Sequence, residues 1–255
     1  IVTYVAFNKV GYELKSILSP KKYNILRKYL EADFVVSSGG GFINDNFGSI
    51  FLVHLFQIFL SLSLGKPTII CAQSIGPLNS KIHRFITRLI LNKVALITVR
   101  EEFSKELITK MHVKTSTYVT ADMTFALPKL ATNNSTCSHP KGNVFNVGVT
   151  VRRWVYPGSR ICSEKNRKYI QTFSRFVDCL VEKLGATVFF IPQVIGPKND
   201  DDRKVAHAIF RGVKHKEKVN VLISDYSPFQ IMQLIGKMDL FVGTRMHSNI
   251  FSLMA

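Results

Sequence analysis

The chain has 255 residues, room for one large or two medium α/β domains each able to bury a core. Its 46% hydrophobic and 20% charged residues exclude an intrinsically disordered chain. The 34 Lys+Arg against 17 Asp+Glu, a formal net charge of +17, favour anionic partners: phosphorylated small molecules, acidic glycans, nucleic acid or an anionic leaflet.

The basic residues are spread along the chain, at Lys21/Lys22, Arg152/Arg153, Arg203/Lys204 and Lys214/Lys216/Lys218, with no arginine-rich tail and no nucleic-acid-binding motif. No nucleic-acid partner is therefore expected. The four cysteines, Cys71, Cys137, Cys162 and Cys179, lack metal-ligand spacing and read as reduced thiols of a cytoplasmic protein. The start at Ile1 and the uncapped stop at Ala255 suggest a piece of a longer protein, truncated at both ends.

In chain order, the apolar run 34–37 predicts a strand, followed by a glycine-rich turn and a helix over 47–64. The apolar stretch 50–64 is 15 residues long and carries His54 and Gln57, too short and too polar for a bilayer span, so it predicts a core helix. Gly65 at C′ and Pro67 behind it end that helix. A strand at 68–72, a helix near 80–92, a strand at 95–99 and a helix at 101–110 follow. Residues 128–143 (PKLATNNSTCSHPKGN) have linker composition. Alternation resumes with a strand at 145–151, a helix at 165–184, a strand at 187–191 and a helix at 200–210. It ends with a strand at 219–223, a helix at 228–237, a strand at 240–243 and the opening of a last helix. Such alternation predicts parallel sheets with right-handed crossovers. The expected architecture is thus α/β, two Rossmann-like domains at 1–127 and 144–255, the second incomplete, joined by the 128–143 linker and facing a cleft.

Polar residues fall repeatedly where predicted strands end, the edge at which open α/β sheets bind ligands. Ser38-Gly39-Gly40-Gly41-Phe42-Ile43-Asn44-Asp45 follows the first strand; its glycines let backbone approach a ligand and aim N–H groups at an anion. It is neither a Walker loop nor a G-x-G-x-x-G fingerprint, so a nucleotide does not follow. Asp45 either caps the helix at Phe47 or serves as a base. Gln73-Ser74-Ile75-Gly76-Pro77 follows the second strand, and Gln73 and Ser74 can bond a sugar or phosphate. Arg100, Asp122, Arg152 and Gln193 occupy further strand ends, and Val242-Gly243-Thr244-Arg245-Met246-His247-Ser248 closes the series. Arg245 and His247 there form a candidate anion and proton-transfer pair, or else a loop tether and a packed or capping histidine.

The ordered set Ser38-Gly-Gly-Gly…Asp45, Ala72-Gln-Ser-Ile-Gly-Pro77, Thr98-Val-Arg-Glu101, Ala121-Asp122 and Gly243-Thr-Arg-Met-His247 resembles the polysaccharide pyruvyltransferase family from about residue 30 to 255. The resemblance implies a fold similar to the two-domain glycosyltransferase B type. It also implies transfer of pyruvate from phosphoenolpyruvate onto a sugar of a poly- or oligosaccharide as a ketal, in cell-envelope polysaccharide biosynthesis. Phosphoenolpyruvate is then the donor substrate; no cofactor and no metal are expected. The acceptor is a saccharide, free or lipid-linked, which leaves open peripheral contact with the inner face of the membrane; oligomeric state is not legible. Family members also begin with a strand and an Asn/Gly-Asp turn, and continue past the His-bearing motif; neither segment is present here. In that chemistry His247 suits the proton donor, Arg100 and Arg245 the carboxylate and phosphate, and Asp45 a hydroxyl's base. Gly39, Gly40, Gly41, Gln73, Ser74, Asp122 and Arg152 complete the expected substrate contacts. The rival readings are a nucleotide-sugar glycosyltransferase or epimerase of the same architecture, and a non-catalytic anion-binding remnant.

Overall fold

The computed structural model describes residues 18–127, 144–154, 162–196 and 201–255. The expected linker 128–143 and the start of the chain lie outside them. The chain divides into two compact units, Ile1–Met123 and Thr124–Ala255. Both are α/β with parallel strands, as the alternation implies.

The first unit contains helix α1 (Pro20–Glu31) and strands β1 (Val35–Ser37) and β2 (Gly40–Ile43). After a 3-10 turn at Asp45–Phe47 come α2 (Ser49–Ser63), β3 (Thr68–Ile75), α3 (Lys81–Leu91), β4 (Leu96–Val99), α4 (Glu102–Lys110) and β5 (Thr117–Val119). The sheet runs β1-β3-β4-β5, with β2 also on β3. β1 pairs with Thr68–Ile70 and β2 with Gln73 and Ile75, while β4 pairs with Ile69, Ile70 and Gln73 from the other side. β1 and β2 therefore follow one another along a single edge of β3. One apolar cluster joins Ile70, Ile75 and Ile97 of the sheet to Phe51, Leu55 and Ile58 of α2, Ile90 and Leu91 of α3, and Ile108 of α4. All three helices thus cover the same face, as right-handed crossovers moving in one direction require. α2 ends in a Schellman motif: Gly65 at φ +70° donates to the Leu62 carbonyl and Lys66 to that of Ser61.

The second unit contains β6 (Asn146–Val149), α5 (Cys162–Leu184), β7 (Thr187–Phe190), α6 (Asp202–Gly212), β8 (Val219–Val221), α7 (Pro228–Ile235), β9 (Leu240–Val242) and α8 (Met246–Met254). Its strand order is β8-β7-β6-β9, all parallel. Along β7 the side chains alternate between two cores. Val188 and Phe190 join Val177 and Ile209 of α5 and α6, while Phe189 and Ile191 join Ile231, Ile235 and Phe251 of α7 and α8. Both faces are covered, which explains the continuous apolar strands. The chain winds one way from β6 to β8 and then returns to place β9 against β6, so the strand order reverses between β6 and β9. Such a switch point opens a crevice at the carboxyl ends of its two strands.

Candidate functional site

In the first unit the glycine run is not a turn. Gly40 and Gly41 open β2, and none of Gly39, Gly40 and Gly41 has a positive φ. The expected cradle of free N–H groups is corrected to a strand because the segment finds ladder partners on β3. Gly39 serves close approach instead, whereas a side chain at Gly41 would meet only ordinary contacts. A Cβ at Gly39 would stand 3.3 Å from the Ala72 carbonyl oxygen, and one at Gly41 would stand 3.7 Å from Arg100 Nη2.

β3 is bulged at Ala72, which sits at φ +45° where the pairing with β4 steps from Ile70↔Ile97 to Gln73↔Val99. Thr98 Oγ1 accepts the displaced Ala72 N–H at 2.7 Å. Beyond the bulge Gln73 is 0% exposed. Its Nε2 donates to Ser37 Oγ and the Ser38 carbonyl, both at 2.7 Å, and lies 3.2 Å from His54 Nε2. Gln73 is therefore a brace between β3 and the β1–β2 connection rather than a surface for a sugar. Its buried Oε1 has no partner among the described residues. Burial lowers the pKa of His54, partly offset by the Gln73 bond.

Ser74, one residue on, meets Arg100 and Asp122. Arg100 donates Nε to Ser74 Oγ at 2.6 Å and Nη1 to Asp122 Oδ2 at 2.7 Å, with Glu101 Oε2 3.5 Å from Nε. Ser74 Oγ–H donates to Glu101 Oε2 at 2.9 Å, and Ser104 also donates to that carboxylate. Four of the expected residues, Gly41, Ser74, Arg100 and Asp122, thus come together, and Glu101 joins them. Two carboxylates against one guanidinium make this a mixed donor–acceptor cluster, not a bare cationic clamp.

Asp45 is placed differently from expectation. Its carboxylate accepts from the amides of Asn79 (2.5 Å) and Ser80 (3.0 Å) and pairs with His83 Nδ1 at 2.6 Å. It ties the 3-10 turn to the start of α3, whereas Asn44, not Asp45, caps that turn. Burial raises the Asp45 pKa, but the His83, Ser80 and Asn79 bonds outweigh it and hold the carboxyl below its usual value. A carboxylate so lowered and so fully bonded is poorly suited to accept a proton.

In the second unit the switch point is built from Thr150–Arg152 after β6 and Gly243–His247 after β9. Thr244 donates its amide to Thr150 Oγ1 (3.0 Å) and its hydroxyl to the Thr150 carbonyl (2.8 Å). Buried Ser248 donates to the Arg245 carbonyl at 2.6 Å and touches Thr150 Oγ1 at 3.0 Å. The two strand ends are thereby knitted into one surface.

Arg245 grips Asp202 with both prongs, Nε to Oδ2 at 3.1 Å and Nη2 to Oδ1 at 2.5 Å. Asp202, 2% exposed, also accepts the amides of Gln193 and Val194 at 3.2 and 2.9 Å. Gln193, at the expected edge, thus contributes its backbone. The fork expected to hold a substrate anion pins the loop after β9 to the loop after β7. Asp202 was the missing partner; its only sequence signal was a carboxylate in a predicted helix's first turn.

Arg152 contrasts with it. Its Nε is buried without an acceptor among the described residues, and its guanidinium lies 5.0 Å from the centroid of the Trp154 ring. Its backbone N–H reaches the hydroxyl of Tyr169 at 3.4 Å. Burial raises the Tyr169 pKa, against its bonds to Arg152, Thr244 and Trp154, so the phenol stays protonated. His247 is exposed in the first turn of α8, and no bond engages its imidazole among the described residues. Among the described residues it therefore neither packs in a core nor caps the helix. No three His, Cys, Asp or Glu side chains converge as metal ligands among the described residues.

A family model described as polysaccharide pyruvyl transferase matches residues 4–255. The chain belongs to this family. Among its relatives, the amylovoran biosynthesis protein AmsJ of Erwinia amylovora is 24% identical over 239 residues, which cover 89% of this chain and 55% of that protein. The chain spans about half the length of that curated relative. Within this pyruvyl transferase family member, the clusters just described lie at the strand ends where the sequence set its motifs.

Proposed function

We propose that the full-length protein transfers pyruvate from phosphoenolpyruvate to two hydroxyls of a saccharide, free or lipid-linked, as a ketal. A proton adds to the methylene carbon, and the central carbon takes the first hydroxyl oxygen. The bond to phosphate then breaks and the second hydroxyl closes the ring. Of the two hydroxyl protons released, one balances the new methyl group and the other leaves with phosphate.

The observation that carries this reading is Arg152, a guanidinium at the switch point whose buried Nε has no acceptor among the described residues. An orphaned buried donor costs roughly 1–3 kcal/mol, and a carboxylate or phosphate satisfies it. His247, exposed beyond the neighbouring strand and with no bond to its imidazole among the described residues, is the proton donor in this scheme, a role an imidazolium N–H can fill in general acid catalysis. The Ser74–Arg100–Asp122 cluster suits the acceptor better than the donor. Its carboxylates repel an anion, while its mixed donors and acceptors match sugar hydroxyls. Arg245 acts through position, by holding the His247-bearing turn.

The test is phosphate release by the full-length protein. Phosphoenolpyruvate with a saccharide acceptor should release phosphate and give an acid-labile pyruvyl sugar. Turnover of nucleotide sugars instead would assign a glycosyltransferase or epimerase, and binding of phosphoenolpyruvate without turnover would assign an anion-binding remnant.

A further inference from the structure

One cavity lies away from both sheet edges. It is an open groove of about 420 Å³ between α2 and α3, lined by Leu52, Phe56, Phe59, Ile86 and Leu89, with Lys93 at its rim. α2 and α3 already bury one face each against the sheet through Phe51, Leu55, Ile58, Ile90 and Leu91. Their outward faces should therefore be polar, as on an ordinary amphipathic surface helix. They are not. Phe56 is 58% exposed, Phe85 60% and Ile82 69%, alongside exposed Leu52, Val53, Phe59 and Leu89. A contiguous apolar surface of this kind marks an interaction site.

Charge identifies the partner. Asp45 and Glu101 bracket a stretch, 46–100, without a single Asp or Glu. On α3 the cations Lys81, Arg84 and Arg88 stand at i, i+3 and i+7, beside an apolar row of Ile82, Phe85 and Leu89 at the same spacing. Lys81, Arg88 and Lys93 form no ion pair with a carboxylate among the described residues. Arg84 donates Nε to the Leu78 carbonyl. A second copy of the same face would set these cations against one another. An interface that is apolar at its centre, basic along its flank and free of carboxylates matches a lipid headgroup layer, into which aromatic and Leu side chains sink while Lys and Arg reach phosphates.

We propose that the outward face of α2 and α3 docks on the anionic surface of a phospholipid bilayer. No helix among the described residues is long and apolar enough to cross a membrane, so the contact is peripheral. It draws on none of the residues assigned to transfer and stands whether or not pyruvyl transfer is the activity.

The test is flotation of the full-length protein with phosphatidylglycerol-rich vesicles and with phosphatidylcholine vesicles. Binding to the first, weak binding to the second and release by salt are expected. Phe56→Ser with Phe85→Ser should weaken binding by roughly tenfold or more for each ring removed. Lys81→Gln, Arg88→Gln and Lys93→Gln together should weaken it about a hundredfold, since each cation contributes roughly fivefold at an anionic surface. Both variants change outward side chains, and an unchanged melting curve verifies the fold. Absence of binding to anionic vesicles overturns the proposal, as does binding that survives both variants. So does a wild-type dimer that the phenylalanine variant dissolves, or a Leu89→Cys thiol shielded from reagent in the full-length protein, because the face is then already covered.

Discussion

Arg152 and Arg245 stand at equivalent places in one sheet. Val149 and Val242 are paired across β6 and β9, and each arginine follows its valine by three residues. Yet one guanidinium is gripped bidentately by Asp202, and the other keeps a buried Nε without an acceptor among the described residues. The difference comes from the third element at hand. The first turn of α6 brings a carboxylate beside Arg245, while the Arg152 guanidinium lies against the Trp154 ring, which attracts the cation by its face but accepts no hydrogen bond in its plane. A strand's carboxyl end therefore supplies the position of a charge, and its neighbours decide whether that charge builds the fold or awaits a ligand.

The comparison is broken most severely at Arg245. Arg245→Met leaves the buried Asp202 carboxylate with backbone amides but without the countercharge of Arg245 and should cost about 3–5 kcal/mol in denaturant unfolding of the full-length protein. Adding Asp202→Asn should recover part of the loss. A melting midpoint unmoved by Arg245→Met would remove the structural pin.

His247 sharpens the same contrast, because it shares its turn with Arg245 but none of its bonds. His247→Gln should lower pyruvyl transfer by roughly 10²–10⁴ without changing the melting temperature. Near-normal transfer by a folded Gln variant would leave the switch point a binding surface only.

At Arg152 the signs separate. Arg152→Met removes an orphaned donor together with a ring contact, so stability should move by less than about 1 kcal/mol. Affinity for phosphoenolpyruvate, read by calorimetry, should fall roughly ten- to hundredfold. Undiminished binding would place the donor elsewhere.

The smallest effect extends the comparison to the first unit, where Asp45 is saturated much as Asp202 is. Its carboxyl is lowered below its usual value, so its contribution is present above the unfolded pKa of about 3.9 and is lost as pH falls through the folded one. Asp45→Asn should cost about 1 kcal/mol near neutral pH and progressively less in acid. A difference independent of pH would show that the bonds to Asn79, Ser80 and His83 do not depend on charge.

Much of this was legible in residue order. Hydrophobic period and punctuation locate α2 with its Gly65 end, the apolar strands of the second unit, and the strand ends that carry Arg100, Arg152 and His247. β2 was not legible, because Gly-Gly-Phe-Ile has turn composition and becomes a strand only when β3 offers an edge. β5 escaped for a similar reason: three residues on the sheet's rim carry too little period to read. His54 left a weak trace, a polar residue inside an apolar helix, but Gln73 and Ser37, its partners, come from other elements.

The sequence by itself determined the alternation of strands and helices, the family, and which side chains stand at strand ends, since periodicity and motif order are local properties of the chain. Tertiary structure alone decided what each of those side chains does. Arg245 spends its charge on Asp202, Arg100 on Asp122 and Asp45 on His83, while Arg152 and His247 have no such partner among the described residues. The physical reason is that a hydrogen bond or ion pair depends on distances of a few ångströms between residues far apart in the chain. Those distances exist only once the sheets have set their register.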